Sequence, residues 1–498
     1  MLAKLFNGAL LNILNILIQL VLGLYLFREM LIYFGAQDFG LWSMMMAMLA
    51  HIALFEFGLG GLISRVVSQS NDLDGVSQKS VVTTCYVMIC SVSALFFISS
   101  VLGASLYTSS NQALSFEMKD NSLFYVCLLL SLNFTLNFIS GAIQAFLIAK
   151  FHMRFINAVR LMTNIMRMIA VLTSIHYELS LEMIAVIFVC SALFELLCRA
   201  IYSYENGIRE LLSLESLSKK AAIYISHRAS RYFFMQMAFY VRNNSAVLFS
   251  GALLGPSAAV TWRIVGRLME IYVEITSSIN YLLTPYFSRF IHQRQQEVIL
   301  KFKVSLLVTS SISALILFNI FQHSEWFLGV WLGEYPPITI ESLQLLAIGF
   351  CLVNMQGPCT SMLIAKDKYQ IMSYISIGEL VLTLVLMPIL MNLYGNIGAA
   401  YALLCAHTVI WAMYVPWIMA KQLSLSLSSY YLCLAAPTLL VWLVFQAFDL
   451  CSNWLLSATH VPYIVNFIAL EITLVVAVLV IAYRVLVSST QEMRQIES

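Results

Sequence analysis

Apolar segments long enough to cross a membrane recur along the whole chain. A bilayer core needs about 20 apolar residues per helix, and about fourteen such segments can be counted, with twelve or thirteen as the alternative counts. They are centred near Gln19, Met48, Ser93, Thr135, Asn164, Phe188, Tyr240, Thr276, Ile312, Leu352, Thr383, Val409, Leu439 and Leu474. The pattern predicts an all-α polytopic membrane protein.

Composition agrees with this pattern. Of the 498 residues, 61% are hydrophobic and 10% are charged. A soluble domain carries about 25% charged residues, so little of this chain can form one. The first apolar segment begins just after Lys4 and has no small-residue cleavage site, which favours a transmembrane helix over a removable signal peptide.

The distribution of Lys and Arg predicts the orientation. With the N-terminus in the cytoplasm, the outer loops hold only Arg28 and Lys119, and five arginines fall inside spans. The other 20 of the 27 Lys and Arg then lie on the inner side, and we place Arg199 among them. Because cytoplasmic loops are enriched in Lys and Arg, we expect both termini in the cytoplasm.

An internal repeat predicts two lobes. Gly35 precedes Trp42 at the start of helix two by the same spacing as Gly255 precedes Trp262 at the start of helix eight. The offset equals six helices, an even number, so the two halves are parallel repeats around a midplane cavity, as in alternating-access transporters. The predicted parts are an N-terminal lobe (1–205), a cytoplasmic linker that could form an amphipathic helix (206–228), a C-terminal lobe (229–420), and two further helices with a tail (421–498).

Five arginines inside the spans are the main functional signal. A cation at the bilayer centre costs roughly 3 kcal/mol, so it is kept with a partner or an aqueous cavity. The planar guanidinium group also binds phosphate through two parallel hydrogen bonds. We therefore interpret these arginines as candidate ligands of an anionic substrate; they are Arg160, Arg167, Arg242, Arg263 and Arg267.

Amide side chains also fall inside spans, on faces of helices one, four, five and seven, and helices five and seven carry candidate arginines as well. Such faces are costly against lipid, so we expect them to line the cavity, although Asn and Gln also join helices by hydrogen bonds. The stripes comprise Asn12, Asn15 and Gln19 on helix one, Asn133 and Asn137 on helix four, Asn157 and Asn164 on helix five, and Asn243 on helix seven.

Five glutamates also fall inside spans, and two interpretations stay open. Glu56, Glu270, Glu274 and Glu379 are candidates for coupling to protons or sodium, and Glu195 is the fifth acid. The alternative is that the acids and arginines pair off and only lock helices together. Glu270 lies one turn from Arg267 and two turns from Arg263, whereas the helix of Arg160 and Arg167 has no acid. Arg160, Arg167 and Arg242 are therefore the first positions to test, and His407 is either a proton carrier or an ordinary packed residue.

Neither a cofactor nor catalysis is indicated. The ten cysteines are scattered without a CxxC spacing, so we expect no metal or cofactor. A membrane enzyme such as a polysaccharide polymerase or ligase tends to need a large outer loop, and the outer loops here are short. We predict no catalytic residue and no nucleic-acid partner. The run Asn354-Met355-Gln356-Gly357-Pro358 predicts a break in helix ten.

Several short motifs resemble polysaccharide exporters. They are Gly35-Ala36-Gln37-Asp38-Phe39-Gly40-Leu41-Trp42, Glu56-Phe57-Gly58-Leu59-Gly60 with Ser64-Arg65, Gly255-Pro256 leading to Arg267, Pro285-Tyr286-Phe287-Ser288-Arg289, and Tyr394-Gly395-Asn396-Ile397-Gly398-Ala399-Ala400. These motifs are spread over nearly the whole chain. The sequence resembles the O-antigen flippases of the multidrug/oligosaccharidyl-lipid/polysaccharide exporter superfamily.

The resemblance implies a fold and a substrate. It implies two six-helix lobes in a V, with two further helices, in a bacterial inner membrane. The implied substrate is an undecaprenyl-pyrophosphate-linked oligosaccharide, moved from the cytoplasmic to the periplasmic leaflet during lipopolysaccharide biosynthesis, with an O-antigen polymerase and a chain-length regulator as partners. A multidrug/cation antiporter of the same superfamily and a transporter of lipid-linked peptidoglycan precursor are the alternatives.

Overall fold

The computed structural model describes residues 2–50, 59–68, 76–110, 120–150, 152–290, 295–366 and 368–458. Throughout these ranges the regular elements are α-helices, with two short 3₁₀ turns and one π-helical segment, and no strand is present. The predicted all-α class is confirmed. The packing of Cα positions divides the chain into two compact units, Met1–Val260 and Thr261–Ser498.

The first unit is built from long helices joined by short turns. It contains α1 (Leu2–Leu49), α2 (Leu59–Ser68), α3 (Gln78–Ser110), α4 (Asp120–Ala149), α5 (Met153–His176), α6 (Leu181–Glu205), α7 (Ile208–Leu211), α8 (Lys219–Leu254) and the start of α9 (Pro256–Phe290). The boundary between the units falls within α9, after Val260, and the helices that follow belong to the second unit.

The second unit has shorter helices and more interruptions. It contains the rest of α9, then α10 (Gln295–Leu332), α11 (Ile338–Asn354), α12 (Gly357–Ala365), α13 (Tyr369–Tyr394), α14 (Gly398–His407), α15 (Val415–Leu423) and α16 (Leu427–Ala458). A 3₁₀ turn (Gly395–Ile397) precedes α14 and a π-helical segment (Thr408–Tyr414) follows it. The predicted break in helix ten is confirmed, because α11 ends at Asn354 and α12 begins at Gly357.

Two glycines mark equivalent helix starts in the proposed repeat. α1 consists of two helices joined at Gly35, where φ is 72°, and Gly255 has φ 98° between α8 and α9. Positive φ is accessible to glycine without strain, which explains this residue at both turns. Trp42 and Trp262, each seven residues later, are 5% and 2% exposed. The second and eighth predicted spans therefore begin at Gly35 and Gly255, as the sequence predicts.

A tight backbone contact joins the start of the second helix within α1 to the start of α9. A Cβ added to Gly40 would lie 2.0 Å from the carbonyl oxygen of Pro256. Only a glycine at this position lets the backbones approach so closely. The two glycine-initiated helix starts, at Gly35 and Gly255, are thus packed against each other within the first unit.

The connection between α6 and α8 is docked on α3. Its helical part is the short α7 and a 3₁₀ turn (Leu214–Ser216), and α8 begins at Lys219, so residues 206–228 are not one continuous helix. The hydroxyl of Thr83 donates to the carbonyl oxygen of Leu211 (3.0 Å) and accepts from the backbone N–H of Ser213 (3.2 Å). These bonds satisfy backbone groups that the end of α7 leaves open.

The helices have the length and the apolar surface of membrane spans. Nine stretches of the described residues are long and apolar enough to cross a bilayer, and one of them, 370–423, runs over α13, α14 and α15. On α3, Leu95, Ile98 and Leu102 are more than half exposed, as expected for side chains in contact with lipid. The chain is a multi-pass membrane protein.

Candidate functional site

The polar stripe of α5 is turned away from lipid. Asn157, Arg160, Asn164 and Arg167 recur at spacings of three and four and are buried or half-buried. The opposite face of the same helix carries the exposed apolar side chains, namely Met162, Ile165, Met166 and Ile169. Because side chains three and four residues apart share one face of a helix, the two sets lie on opposite sides. The stripe therefore lies opposite the exposed face of α5, and that it lines a shared interior stays a prediction.

Arg167 contacts α6. Its Nε donates to the hydroxyl of Ser191 (2.8 Å), and its guanidinium carbon lies 4.9 Å from the centroid of the Phe188 ring. The guanidinium group also interacts electrostatically with Glu195, one turn beyond Ser191 on α6. Arg167 is therefore held by a hydroxyl, an aromatic face and a carboxylate at longer range, an arrangement that fixes its position.

The carboxylate of Glu195 belongs to a buried ion pair that the sequence analysis missed. Glu195 and Arg199 stand one turn apart on α6, form an ion pair and are 8% and 4% exposed. Nη1 of Arg199 donates to the hydroxyl of Ser140 on α4 (2.9 Å). The sequence pattern groups Arg199 with the cations of the inner side, and the structure shows that its side chain is buried on α6. The spacing of four between Glu195 and Arg199 was the available signal.

Arg160 completes a group with an excess of positive charge. Its Nη2 donates to Oε1 of Gln144 on α4 (3.4 Å), a neutral amide, and its charge is close enough to repel that of Arg199. We call Arg160, Arg167, Glu195 and Arg199 the basic cluster. Among the described residues it holds three guanidinium groups and one carboxylate. An excess of buried positive charge is expensive unless an anion or water enters.

The amides of α4 and α5 have mixed surroundings. Asn133 is buried, and Nδ2 of Asn137 donates to its backbone and side-chain oxygens (2.9 and 3.0 Å). This bond lies within one helix, so it joins no two helices. Asn157 is buried and Asn164 half-buried on the polar stripe of α5. Asn157 and Asn164 thus share a face with the basic cluster, as predicted.

Arg242 and Asn243 lie on α8 and are both half-buried. The guanidinium carbon of Arg242 is 5.7 Å from the centroid of the Phe239 ring. Neither residue shares a described hydrogen bond with the basic cluster. Their role in substrate binding therefore stays a prediction.

Arg263 and Arg267 in the second unit are engaged by an acid on their own helix. Nη1 of Arg263 lies 3.4 Å from Oε1 of Glu270, and Nη1 of Arg267 lies 2.9 Å from Oε2 of the same carboxylate. Glu274, the next acid on α9, is exposed. Of the two interpretations that the sequence left open, Arg263 and Arg267 fit the one in which arginines pair with acids.

Glu379 has surroundings different from those of Glu270 and Glu274. It is buried on α13 beside His407 of α14 and Trp411 of the π-helical segment. Twenty-eight positions separate Glu379 from His407. No local spacing predicts their contact.

Four candidate residues cannot be placed. The side chains of Asn12, Asn15 and Gln19 and all of Glu56 lie outside the described residues. Within the described part of the chain, no group of three or more His, Cys, Asp or Glu residues could hold a metal ion.

Comparison with known proteins identifies the fold. No family model and no curated protein matches the sequence. Among solved structures, the lipid II flippase MurJ in an inward closed conformation aligns with a TM-score of 0.66 at 13% identity, over 96% of this chain and 100% of its own. An inward-facing multidrug resistance MATE family transporter of the MOP superfamily aligns with a TM-score of 0.62 at 12% identity, over 81% of this chain and 94% of its own.

A third structure, a mutant of the Vibrio cholerae MATE transporter VcmN, aligns with a TM-score of 0.59 at 15% identity, over 84% of this chain and 98% of its own. The chain therefore has the all-α polytopic fold that MATE transporters and this flippase share. The proteins compared are transporters and a flippase rather than enzymes.

Proposed function

We propose that the chain is a flippase that moves undecaprenyl-pyrophosphate-linked oligosaccharide repeat units from the cytoplasmic to the periplasmic leaflet of a bacterial inner membrane. The observation that carries this proposal is the basic cluster of the first unit, which holds three guanidinium groups and, among the described residues, one carboxylate that is paired with Arg199. A pyrophosphate group is the anion that such a cluster suits, because each guanidinium offers several N–H donors in a planar fork.

Within this cluster the residues have different tasks. Glu195 neutralises Arg199 and holds it against Ser140 on α4. Arg160 and Arg167 contact neutral side chains, Gln144 and Ser191, through single hydrogen bonds, which leaves other guanidinium N–H groups for phosphate oxygens. Arg160 and Arg167 are the proposed pyrophosphate ligands, with Arg242 as the third candidate. Arg263 and Arg267 are less suited because Glu270 already engages both.

The sugars and the transport cycle complete the proposal. Asn133, Asn137, Asn157, Asn164 and Asn243 would meet the sugar hydroxyls, together with the helix-one stripe. We propose that residues 1–205 and 229–420 form lobes that rock in alternating access, with both termini cytoplasmic, and that Glu56, Glu270, Glu274 or Glu379 couples the motion to an ion. The fold shared with a protein described as a lipid II flippase supports a lipid-linked substrate.

The second candidate is a multidrug antiporter. The chain resembles multidrug resistance MATE transporters in fold about as much as it resembles the lipid II flippase, so the fold supports both candidates equally. The two differ in the charge of the cargo, since a cationic drug would be repelled by an excess of buried arginine whereas a pyrophosphate would be attracted. The basic cluster therefore favours the flippase.

The test replaces the charges in cells from which the gene is deleted. We expect the deletion strain to lose surface polysaccharide and to accumulate lipid-linked repeat units on the cytoplasmic side, and the double variant R160Q/R167Q to do the same. R154Q is the matched control, because Arg154 lies on α5 but is exposed at its start. Normal surface polysaccharide in R160Q/R167Q contradicts the assigned ligands. Normal polysaccharide in the deletion strain, with altered drug tolerance, supports the antiporter instead.

A further inference from the structure

A carboxylate and an imidazole meet in the interior of the second unit. Oε1 of Glu379 lies 3.4 Å from Nε2 of His407, and the two residues are 3% and 0% exposed. Glu379 is the eleventh residue of α13, about 15 Å along the helix axis from its first residue. We call Glu379 and His407 the buried pair. It lies well inside a stretch that is long and apolar enough to span a membrane.

The surroundings of the buried pair are tight and mostly apolar. The ring of Phe350 stands edge-on to the imidazole, with centroids 5.5 Å apart. A Cβ added to Gly349 would lie 2.6 Å from Nδ1 of His407, so α11 approaches the imidazole as closely as a glycine allows. The indole N–H of Trp411 donates to Oε2 of Glu379 (3.1 Å). In such a low-dielectric setting a net charge on the pair is costly, so the protonated, neutral pair and the charged pair differ strongly in free energy.

The helices around the buried pair are irregular at this level. The π-helical segment Thr408–Tyr414 begins directly after His407, and such segments are frequent at functional sites. Nε2 of Gln356, in the break between α11 and α12, donates to the backbone oxygen of Trp411, and its Oε1 accepts from the hydroxyl of Tyr430 (2.8 Å). Polar contacts therefore lead from the buried pair through Trp411 and Gln356 to α16.

The other titratable groups nearby are mostly phenols and thiols. Tyr430 contacts the thiol of Cys359 (2.9 Å), and the thiol of Cys351 on α11 is hydrogen-bonded to Tyr272. Of the described charged residues at the ends of these helices, Glu341, Lys368 and Lys421 are exposed and Lys366 is half-buried. The remaining titratable side chains on α11 to α14 and the π-helical segment are Tyr369, Tyr374, Tyr394, Tyr401, Cys405 and Tyr414.

We propose that the buried pair binds one exchangeable proton and is the coupling site of transport. Without the proton, the pair carries the negative charge of Glu379, and with it the imidazolium and carboxylate sum to zero. The proton enters from water, is held between Nε2 and Oε1, and returns to water, so no other bond changes. The coupling role rests on the proposed transport function, whereas the binding of the proton does not.

The chemistry favours a proton over sodium. Hard cations take several oxygen ligands, usually carboxylates, carbonyls and waters. At the buried pair the carboxylate contacts a ring nitrogen and accepts a hydrogen bond from an indole N–H, and the indole N–H repels a cation. Imidazole is the side chain that takes up and releases a proton near neutral pH.

The test measures proton binding by the full-length protein in lipid nanodiscs without substrate. We expect infrared difference spectra between about pH 6 and about pH 8 to contain imidazole and carboxyl bands that E379Q and H407N both remove. H176N and E341Q are controls, because both positions are exposed at helix ends. W411F keeps both titratable groups but removes the hydrogen bond from the indole N–H to Glu379. We therefore expect this variant to shift the carboxyl band.

The outcomes separate the two proposals. If E379Q and H407N keep the wild-type bands, the buried pair does not bind the proton. An unshifted carboxyl band in W411F would show that this band does not come from Glu379, which overturns its assignment to the pair. In proteoliposomes we expect E379Q to abolish the stimulation of transport by a proton gradient, and unchanged stimulation would refute the coupling role. If the wild-type protein binds the proton but moves no lipid-linked oligosaccharide, the flippase proposal fails and the proton site stands.

Discussion

Arg199 forms an ion pair with Glu195 one turn earlier on α6, and both side chains are almost fully buried. The pair sits against Ser140 of α4 and close to Arg160 of α5, so it connects three helices of the first unit. Its role is to keep one of three neighbouring arginines neutralised and in place. Pairing of this kind leaves Arg160 and Arg167 as the cations best suited to meet an anion.

Breaking this ion pair should destabilise the first unit. In E195Q the charge of Arg199 stays buried beside Arg160 without its carboxylate, and we expect a loss of about 3–5 kcal/mol of unfolding free energy. In the double variant E195M/R199M both charges of the pair are removed together, so neither is left alone, and we expect stability near that of the wild type. Thermal unfolding in detergent measures both. E205Q is the control at the exposed end of α6, and equal losses in the single and double variants would contradict the ion-pair account.

Lysine should not replace Arg167. The guanidinium group donates Nε to Ser191 and lies over the ring of Phe188 at the same time. Lysine has a point charge without the planar fork, so R167K keeps the charge but loses this geometry. We expect flipping by R167K in proteoliposomes to be at least about tenfold slower, equivalent to about 1.4 kcal/mol. R154K should flip at the wild-type rate, and full activity of R167K would show that charge alone suffices.

Gly40 should not tolerate a methyl group. The added Cβ would meet the backbone oxygen of Pro256 at 2.0 Å, and backbone cannot rotate away as a side chain can. We expect G40A to lose about 1–3 kcal/mol of stability. G103A is the matched control, since a Cβ at that helical glycine of α3 meets nothing within 4 Å. A stability gain in G103A together with no loss in G40A would show that α1 can shift freely.

Trp262 should contribute a specific hydrogen bond in the second unit. Its indole N–H donates to Oδ1 of Asn396 (2.7 Å), which ties α9 to the 3₁₀ turn before α14. W262F removes the donor while it keeps an aromatic ring, and we expect a loss of about 1–2 kcal/mol. Chemical denaturation in detergent micelles measures the change. W326F is the control because Trp326 is 56% exposed, and an equal effect of the two variants would refute a role for the hydrogen bond.

The sequence predicts much of the fold because its strongest signals are local. The starts of helices at Gly35 and Gly255 and the break after Asn354 depend on backbone conformations of single residues. The shared face of Arg160 and Arg167 follows from the period of one helix. Each of these predictions agrees with the structure.

The candidate site was harder to predict because it depends on contacts between helices. Arg199 looked like a loop cation since it lies near the end of a span, yet packing against α4 buries it beside Ser140. The contact of Glu379 with His407 joins α13 to α14 and leaves no spacing signal in the chain. Only the rotation and depth of packed helices determine such contacts.

By itself, the sequence determined that the protein is a helical, multi-pass membrane protein with arginines inside its spans. It could do so because lipid forces backbone hydrogen bonds to close within each helix, and because a polar stripe against lipid is costly. Only the tertiary structure decided which charges neutralise one another. Arg263 and Arg267 pair with Glu270, Arg199 pairs with Glu195, and Glu379 pairs with His407. Spacing along one helix makes the pairs with Glu270 and Glu195 possible, whereas the contact between Glu379 and His407 depends on how two helices pack. The physical reason is that an ion pair forms only over a few ångströms, a distance that the packed side chains decide.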